Sequence, residues 1–433
     1  MRIEGQLLIA GGEVVDPHSG KIEARDILVA GGTVRPLDEK NADCRVFDAA
    51  GMTVTPGLVD LHVHFREPGG EHKEDIASGS RAAARGGYTT VCCMPNTSPV
   101  IDCRELVQLV AGRGREVGLV NLLVVGALSN GLKGQQLADF AGMLEGGICA
   151  LSDDGKTLMD SELMLRAAQR AKELGLLITD HCENHAASAG GVLNEGEVSR
   201  RLGVRGIPNS CEADIVVRDI KLARQTGCRI HLQHISTKES LEHIRRAKRE
   251  GLPITAETAP HYFSLTDQAV LTHGTDAKMN PPLRHEADRQ AVIQALRDGT
   301  LDAIATDHAP HSPAEKAQSL ESAPFGVVGL ETAFAVSYTT LVLPKLLTLP
   351  ELLQLMSTGP AKILGRGYEG LTVGAPADIA VFDLRRPYTI DAGRFASKGR
   401  NTPFDGMEVY GRCALSVCGG QVTFNETFEG DCK

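Results

Sequence analysis

The middle of the sequence alternates short apolar runs with longer helical patterns, and this alternation constrains the fold more than any other feature. Runs of strand type occur eight times, at 58–65, 89–94, 120–127, 148–152, 176–181, 229–235, 253–258 and 301–306. Between the fourth and fifth runs, Ser161 begins a helical pattern as its N-cap and Gly175 ends it at the position where glycine is favoured. Eight such units predict an α/β fold, a (β/α)8 TIM-type barrel.

A doubly wound open sheet is the alternative reading of the same alternation. No Gly-x-Gly-x-x-Gly follows the first run, which favours the barrel. The longest polar stretch without periodicity is 309–326. Because such loops on barrels often cover a site, we expect it to be mobile without ligand and to settle over a substrate.

Both ends of the chain differ from the middle. Apolar runs at 6–10 and 26–30 are followed by glycine pairs, and similar short apolar runs occur at 378–382 and 414–418. Such runs are typical of β-hairpins, and chain termini often lie close together. We therefore predict one small β-sandwich domain built from 1–55 and 372–433, with the barrel at 56–371.

Charge and apolar content exclude several classes of partner. Lys and Arg number 45 against 55 Asp and Glu, a net charge of −10 without any basic block, so we expect no nucleic-acid and no membrane partner. No apolar run reaches the roughly 18 residues of a membrane span. The N-terminus is too polar to predict a signal peptide. Eleven cysteines without a Cys-x-x-Cys indicate reduced thiols and a cytoplasmic protein.

Histidines and aspartates stand at the ends of the apolar runs. Asp60, His62 and His64 alternate along the first run, so they share one face at the strand end where barrels carry their active sites. Later runs end in further candidate ligands, namely Asp153, Asp154, His181, His234 and Asp307. Four histidines and one or two aspartates exceed what one tetrahedral zinc needs. They suit two metal ions with a shared carboxylate and a bridging hydroxide.

Strand alternation separates neighbouring candidates. His231 faces away from His234, which is nearer the carboxyl end of its strand, so we predict that His231 is a packing residue. Asp307 and His308 cannot both point inward, and we take Asp307 as the ligand. Asp154 precedes a glycine turn, which makes it a stronger candidate than Asp153.

The sequence resembles the class I dihydroorotase family of the amidohydrolase superfamily over almost its whole length. The most specific piece is DLHVHFREPG at 60–69, followed by HKED at 72–75. Supporting pieces are MPNT at 94–97, SDDG at 152–155, DHCEN at 180–184, QHISTK at 233–238, KMNPPLR at 278–284 and TDHAPH at 306–311.

The resemblance implies a set of functional residues. Two Zn²⁺ ions, bridged by Asp154 and a hydroxide, would be held by His62, His64, Asp154, His181, His234 and Asp307. The substrate would be contacted by His64, Arg66, Asn96, Asn280, His311, Phe325 and Gly326.

The implied reaction is the reversible closure of N-carbamoyl-L-aspartate to L-dihydroorotate with loss of water, in de novo pyrimidine (UMP) biosynthesis. A carboxylate must carry a proton between the attacking water and the ring nitrogen, and Asp307 is the expected catalytic residue. The substrate carboxylate needs a guanidinium fork. Arg66 follows His64 by two residues on the same face, so it can supply that fork beside the metals.

The fourth strand bears on the bridge between the metals. Many members of the superfamily use a carboxylated lysine there, whereas this run ends in SDDGK at 152–156. That ending argues against hydantoinases and the lysine-bridged dihydroorotases. Lys156 lies beyond the Gly155 turn, so we expect it to be unmodified. The sequence assigns no role to Glu71 or to 72–75.

Two other functions are the alternatives. Another cyclic-amide hydrolase, such as an allantoinase, would share the metals, but Arg66 favours a substrate with a carboxylate. A non-catalytic homologue kept as a subunit is the second, and the full ligand set counts against it. The family implies two protein partners to test, a second copy in a homodimer and aspartate carbamoyltransferase in a complex.

Overall fold

Eight parallel strands form the centre of the molecule. The computed structural model describes residues 5–367 and 370–426. The strands pair in chain order and are Leu58–Val63, Tyr88–Cys93, Asn121–Gly126, Ile148–Leu151, Ile178–Asp180, Ile230–Leu232, Ile254–Thr258 and Ala303–Ile304. A parallel bridge between Val63 and His308 joins the first strand to the segment after the eighth. The predicted barrel is confirmed, with each strand lying inside or overlapping its predicted run.

The eighth strand is shorter than the predicted run 301–306, for a local reason. Thr306 leaves the ladder and donates to the buried carboxylate of Asp60 from its backbone N (3.1 Å) and its Oγ1 (2.6 Å). Burial raises the pKa of Asp60 to about 7. This contact fastens the last strand to the first.

Helices connect the strands and cover the outside of the barrel. The seven that lie between successive strands are Ile76–Arg85, Arg104–Val117, Phe140–Gly146, Ser161–Leu174, Ser210–Thr226, Lys238–Arg249 and Glu286–Arg297. Three more follow the last strand, joined through π-helical turns at Tyr338–Val342 and Gln354–Thr358, and these are Ala333–Ser337, Leu349–Leu353 and Gly359–Ile363. Shorter helices lie in the loops at His185–Ser188, Glu197–Leu202, Pro260–Ser264, Val270–His273 and Pro313–Lys316.

The helix Ser161–Leu174 shows how far its boundaries could be predicted. Its N-cap is Asp160 rather than Ser161, because the Asp160 carboxylate accepts from the backbone N of Glu162 and of Leu163, each at 2.9 Å. Gly175 ends the helix in the left-handed region at φ 71°, as predicted.

Two further sheets contain strands from the ends of the chain. The four-stranded sheet has the order Thr33–Arg35, Ile27–Ala30, Gln6–Ala10, Arg45–Asp48. The six-stranded sheet has the order Gln421–Asn425, Arg412–Cys418, Ile379–Asp383, Thr53–Pro56, Glu13–Val15, Ile22–Ala24. Two short two-stranded sheets are also present. Leu193–Asn194 pairs with Gly206–Ile207, and Tyr388–Thr389 pairs with Glu408–Val409.

The two sheets of the termini share one apolar core. It contains Ile9 and Phe47 from the four-stranded sheet and Val54, Ile379 and Val417 from the six-stranded one, all buried. Both chain ends therefore contribute to one packed unit. The boundaries proposed for it, 1–55 and 372–433, stay a prediction, and its parts at 1–4 and 427–433 lie outside the described residues.

The helices were also inspected for membrane spans. Within residues 5–367 and 370–426, none is both long enough and apolar enough to cross a bilayer.

Candidate active site

The first strand delivers two histidines to the carboxyl end of the barrel. His62 is 1% exposed and His64 is 6% exposed. His64 donates its backbone N to the carbonyl of His308 at 2.9 Å, which fixes the strand end against the segment after the eighth strand. His62 Nδ1 lies 3.4 Å from Glu257 Oε1, so its other ring nitrogen, Nε2, faces the centre of the barrel.

Two aspartates meet these histidines from opposite sides. Asp154 Oδ1 lies 3.2 Å from His62 Nε2, and its Oδ2 lies 3.6 Å from His64 Nε2. Asp307 Oδ1 lies 3.5 Å from His62 Nε2 and 3.2 Å from His64 Nε2. Four side chains from the first, fourth and eighth strand ends therefore converge.

The fifth and sixth strands add the remaining pair. His181 Nδ1 lies 2.8 Å from His234 Nε2 and 3.7 Å from Asp154 Oδ1. The ring centroids of His234 and His62 are 5.2 Å apart. The six residues predicted as ligands thus lie in one buried cluster.

Ligand-type atoms in this cluster are close enough for metal coordination. Two groups have their donor atoms within 4.8 Å of one another, and they are His62, His64 and Asp307, and His62, Asp154 and His234. The buried atoms His62 Nε2, Asp154 Oδ1 and His234 Nδ1 form no hydrogen bond among the described residues. Buried polar atoms normally have hydrogen-bond partners, so these atoms, of which His62 Nε2 and Asp154 Oδ1 are in ionic contact at 3.2 Å, fit a metal site.

Backbone strain concentrates here. Arg66, His234 and Asp307 have φ of 60°, 35° and 47°, in a region that residues with a side chain seldom adopt. Such conformations persist where the surrounding structure holds them, and they cluster at functional sites.

The charges of the cluster shift its pKa values in opposite directions. Burial raises the pKa of Asp154 and Asp307, but the nearby His62 outweighs burial and holds both pKa values below their ordinary range. Burial lowers the pKa of His62, yet the two carboxylates raise it well above its usual value. Burial and the neighbouring His181 lower the pKa of His234 to about 3. Ionised carboxylates and neutral imidazoles, such as that of His234, are the forms that bind metal, so metal binding would release the proton that His62 otherwise holds.

The structure places three neighbouring candidates away from the cluster. Asp153 points away from the cluster and accepts from the backbone N of Leu128 (2.8 Å) and Ser129 (2.9 Å). Lys156 is exposed on the turn beyond Gly155. His231 is buried beside Glu257, with Nε2 3.1 Å from Oε2.

Arg66 and His311 lie together at the edge of the cluster. Arg66 Nη2 is 3.4 Å from His311 Nε2, and its Nε donates to the carbonyl of Pro310 at 3.3 Å. The same His311 nitrogen lies 2.8 Å from the carbonyl oxygen of Phe325. Gly326 follows in the left-handed region, with φ 142°. Arg66 is partly exposed and keeps N–H groups for a ligand.

Two asparagines reach the cluster from loops. Asn96 Oδ1 lies 2.9 Å from His64 Nδ1, while its Nδ2 donates to Asp154 Oδ2 at 2.9 Å. Asn280 Nδ2 donates to Glu183 Oε2, also at 2.9 Å. Both asparagines are partly exposed, so they are accessible to a small molecule while contacting the buried cluster or its neighbour.

Sequence reasoning missed two carboxylates beside the cluster. Glu183 Oε2 lies 3.0 Å from His181 Nε2, and Glu257 contacts His62 through the Nδ1 described above. Carboxylates of this kind orient histidine ligands and fix their tautomer. Glu257 is the penultimate residue of the seventh strand, so the strand-end rule could have found it, whereas no pattern in the sequence singles out Glu183.

The structure gives the first loop a supporting role. Glu74 is fully buried, lies 3.2 Å from His308 Nε2 and accepts from the backbone N of Lys398 at 3.2 Å. Asp75 caps the helix Ile76–Arg85 by accepting from the Ser78 N at 2.6 Å. These contacts explain two of the acidic residues at 71–75 to which the sequence assigned no role.

Comparison with known proteins agrees with this site. The Dihydro-orotase-like family model matches residues 51–240. The chain is 48% identical to the dihydroorotase of Pelotomaculum thermopropionicum, over 97% of this chain and 99% of that protein. It is also 48% identical to the dihydroorotase of Geobacter metallireducens, over 96% and 99%.

Solved structures extend the comparison. The L-hydantoinase (dihydropyrimidinase) of Arthrobacter aurescens superposes with a TM-score of 0.86 at 25% identity, covering 97% of this chain and 96% of that one. The dihydropyrimidinase of Brevibacillus agri shares the fold, with a TM-score of 0.83 at 23% identity, covering 97% of this chain and 95% of that one.

A barrel of eight parallel strands, with histidines and aspartates clustered at the strand ends, defines the chain together with these neighbours as a cyclic amide hydrolase. At 48% identity over nearly its whole length, the chain belongs to the dihydroorotase family.

Proposed function

We propose that this enzyme interconverts N-carbamoyl-L-aspartate and L-dihydroorotate, with loss or gain of water, in de novo pyrimidine biosynthesis. The observation that carries the proposal is Arg66, partly exposed and 3.4 Å from His311, at the edge of the buried histidine and aspartate cluster. Both compounds carry a carboxylate, which a guanidinium fork recognises. The family membership supports the same reaction.

The proposed cofactor is a pair of zinc ions, held by His62, His64, Asp154, His181, His234 and Asp307. When bound, the ions supply Lewis acidity that polarises an amide carbonyl and lowers the pKa of a water molecule. Asp154 is the proposed bridge between them, because its two carboxylate oxygens face His62 and His64 separately. The exposed Lys156 supports an aspartate bridge and, with it, the class I type.

Asp307 is the proposed proton carrier. In the hydrolytic direction the water oxygen bonds to the ring carbonyl carbon, the C–N bond breaks, and a proton from the water must reach the ring nitrogen. The Asp307 carboxylate is ionised because its pKa lies below its ordinary range, and its position 3.5 Å from His62 and 3.2 Å from His64 supports its role as the group that takes up and returns this proton. His64, 3.2 Å away, orients it.

The remaining predicted contacts are proposed to hold the substrate. Arg66 and His311 would bind its carboxylate, and Asn96 and Asn280 would donate to its polar edge. Phe325 and Gly326 would lie against the ring. The partial exposure of Arg66, Asn96, Asn280 and Phe325 beside a buried cluster supports this division of roles. His311 and Gly326 are buried, and the substrate would reach them from the side of Arg66.

The assignment is tested by comparing turnover of L-dihydroorotate, hydantoin and allantoin on one purified sample of known zinc content. We expect turnover of dihydroorotate alone to be efficient. Preferential turnover of hydantoin would instead favour the activity named for the Arthrobacter neighbour. Absence of turnover in a sample with two zinc ions per chain would favour the non-catalytic alternative.

Location and protein partners remain predictions. The ten cysteines among the described residues are free thiols, which supports the proposed cytoplasmic location. A homodimer is tested by the mass of the purified protein in solution. A complex with aspartate carbamoyltransferase is tested by mixing the two enzymes and measuring mass and turnover together.

A further inference from the structure

The segment 309–326, which connects the eighth strand to Val327, is fastened to the rest of the molecule by two buried lysines. It contains the short helix Pro313–Lys316, and the contacts described below argue against the mobility that its sequence predicted. Lys278 and Lys316 are 2% and 5% exposed. Lysine is almost never buried this completely unless it is paired, so the partners of these two side chains require an explanation.

Lys278 holds the second half of the segment. Its Nζ donates to the carbonyl oxygens of Leu320 (2.7 Å), Glu321 (3.3 Å) and Ala323 (2.6 Å). The same ammonium lies 4.4 Å from the centre of the Phe325 ring, a cation–π contact. Three donors meet three carbonyls, so the ammonium is satisfied by the backbone of this segment alone.

Lys316 holds the end of the segment from the other side. Its Nζ donates to the carbonyl oxygens of Pro324 (3.1 Å), Gly326 (3.2 Å) and Lys278 (3.3 Å). The backbone N of Gly326 in turn donates to the carbonyl of Lys278 at 3.0 Å. The two lysines therefore form one connected network, and it also includes the stretch that leads to Asn280.

Asn401 closes the base of the segment. Its Nδ2 donates to the carbonyls of Ala309 (3.1 Å) and Gly326 (3.0 Å), and its Oδ1 accepts from the backbone N of His311 at 3.1 Å. The first and last residues of the segment are thereby held side by side. His311, which lies between Arg66 and the Phe325 carbonyl, is fixed by these contacts.

Buried ammonium groups are costly even with the carboxylates of Asp276 and Glu321 nearby, because water solvates them far better than carbonyls do. Burial lowers the pKa of Lys316 to about 8, because burial disfavours the charged form of the amine. A segment that only had to cover apolar surface would be held more cheaply by apolar side chains. The contacts instead converge on the residues predicted to meet the substrate.

We propose that Lys278 and Lys316 are positioning residues, which hold 309–326 in the place where His311 and the Phe325 carbonyl lie beside Arg66. The substrate part of this inference rests on the proposed function. If the segment leaves this position, the fraction of enzyme able to bind substrate falls, and the apparent affinity falls by the same fraction. Once substrate is bound at saturation, the chemical step proceeds at its normal rate.

The test uses the zinc-loaded full chain and the variants Lys316→Met and Lys278→Met, which keep the apolar stem and remove the donors. Lys316→Gln, which retains two N–H donors on a shorter side chain, is the milder variant if either methionine variant fails to fold. Lys248→Met is the matched control, because Lys248 donates to Gly299 O and Asp302 far from the site. Amide hydrogen exchange of 309–326, zinc content, KM and kcat are measured for each.

In the variants of Lys278 and Lys316 we expect faster amide exchange across 309–326 and a KM for dihydroorotate at least tenfold higher. Their kcat should stay within threefold of wild type, and their zinc content should be unchanged. Lys248→Met should match wild type in all four measurements. Unchanged exchange in the variants, or faster exchange with unchanged KM, would overturn the proposal. A wild-type enzyme without dihydroorotate turnover would count against the proposed function, while the exchange comparison would still decide whether the lysines hold the segment.

Discussion

At Asp154, one carboxylate contacts three histidines. Its oxygens lie 3.2 Å from His62, 3.6 Å from His64 and 3.7 Å from His181. If this carboxylate bridges two ions, Asp154→Ala should lose at least one metal per chain, and Lys156→Ala should keep both. Metal analysis of the two variants beside wild type checks this, without added bicarbonate. Electron density for a carboxylated Lys156 between two metals would contradict the assignment.

A substitution at Arg66 tests substrate recognition separately from metal binding. Arg66→Lys keeps the charge but loses the bidentate fork, so kcat/KM for dihydroorotate should fall at least tenfold, about 1.4 kcal/mol. Zinc content should remain that of wild type, which serves as the internal control. Unaltered steady-state kinetics would exclude Arg66 from substrate binding.

Most of the residues in the candidate site could be predicted from sequence for a simple geometric reason. Side chains alternate along a strand, and parallel strands end at the same rim, so residues such as His62 and Asp307 meet although they are distant in sequence. Contacts made by loops do not follow such a rule. The position of Glu183 beside His181 depends on the path after the fifth strand, which no local pattern describes.

At the scale of the element, the helix Ile76–Arg85 depends on its cap. Asp75 accepts from the Ser78 N and lies 2.5 Å from Lys398 Nζ. Asp75→Ala should destabilise the fold by about 1 kcal/mol at neutral pH, the usual effect of losing an N-cap. Thermal unfolding midpoints of the variant and wild type measure this difference.

The same cap predicts a pH dependence. Burial raises the pKa of Asp75, but the Lys398 contact and the Ser78 N–H outweigh it and lower the pKa to about 2, below the ordinary 3.8. A depressed pKa stabilises the fold above the ordinary value, and this contribution is lost as the pH falls towards 2. The difference between wild type and Asp75→Ala should therefore shrink below pH 4. Asp75→Asn, which keeps an acceptor without charge, should retain part of the stability and show a weaker pH dependence.

Elements of the barrel were easier to predict than the loops that join them. The runs at 58–65 and 148–152 both contain barrel strands, because a strand covered on both faces is mostly apolar apart from residues such as His62 that serve the site. The segment 309–326 has no such pattern, since its order comes from hydrogen bonds to Lys278, Lys316 and Asn401. Backbone carbonyls are present in every sequence, so they give no signal of this kind.

At the scale of the molecule, metal binding should contribute to stability. The two carboxylates and four imidazoles lie in a buried cluster, and metal bound only to the folded state stabilises it. At a free zinc concentration a hundred times Kd, the contribution is about 2.7 kcal/mol, or roughly 3 °C in the unfolding midpoint for a chain of 433 residues. Chelation should lower the midpoint and abolish turnover, and zinc should restore both.

The control for that experiment is His62→Ala, whose midpoint should respond less to chelator because its metal affinity is reduced. Full turnover by thoroughly metal-free wild type would contradict a metal-dependent reaction. A midpoint unchanged by chelation would show that the cluster binds no metal in the folded protein.

The apolar runs at both chain ends predict that these ends pack together, but they do not predict the order of the strands. Thr53–Pro56 pairs with Ile379–Asp383 on one side and with Glu13–Val15 on the other. Pairing between segments so distant in sequence is selected by packing in the whole molecule. Local propensity contains no information about it.

That strand order has a consequence during protein synthesis. Thr53–Pro56 emerges from the ribosome more than 300 residues before its partner Ile379–Asp383, an interval of roughly 15 to 60 s at ordinary elongation rates. For that time one edge of the nascent sheet has no neighbour, while the barrel beside it is being completed. An unpaired edge invites pairing with another chain. The early strands therefore present an open edge to neighbouring nascent chains until the C-terminal strands have been made.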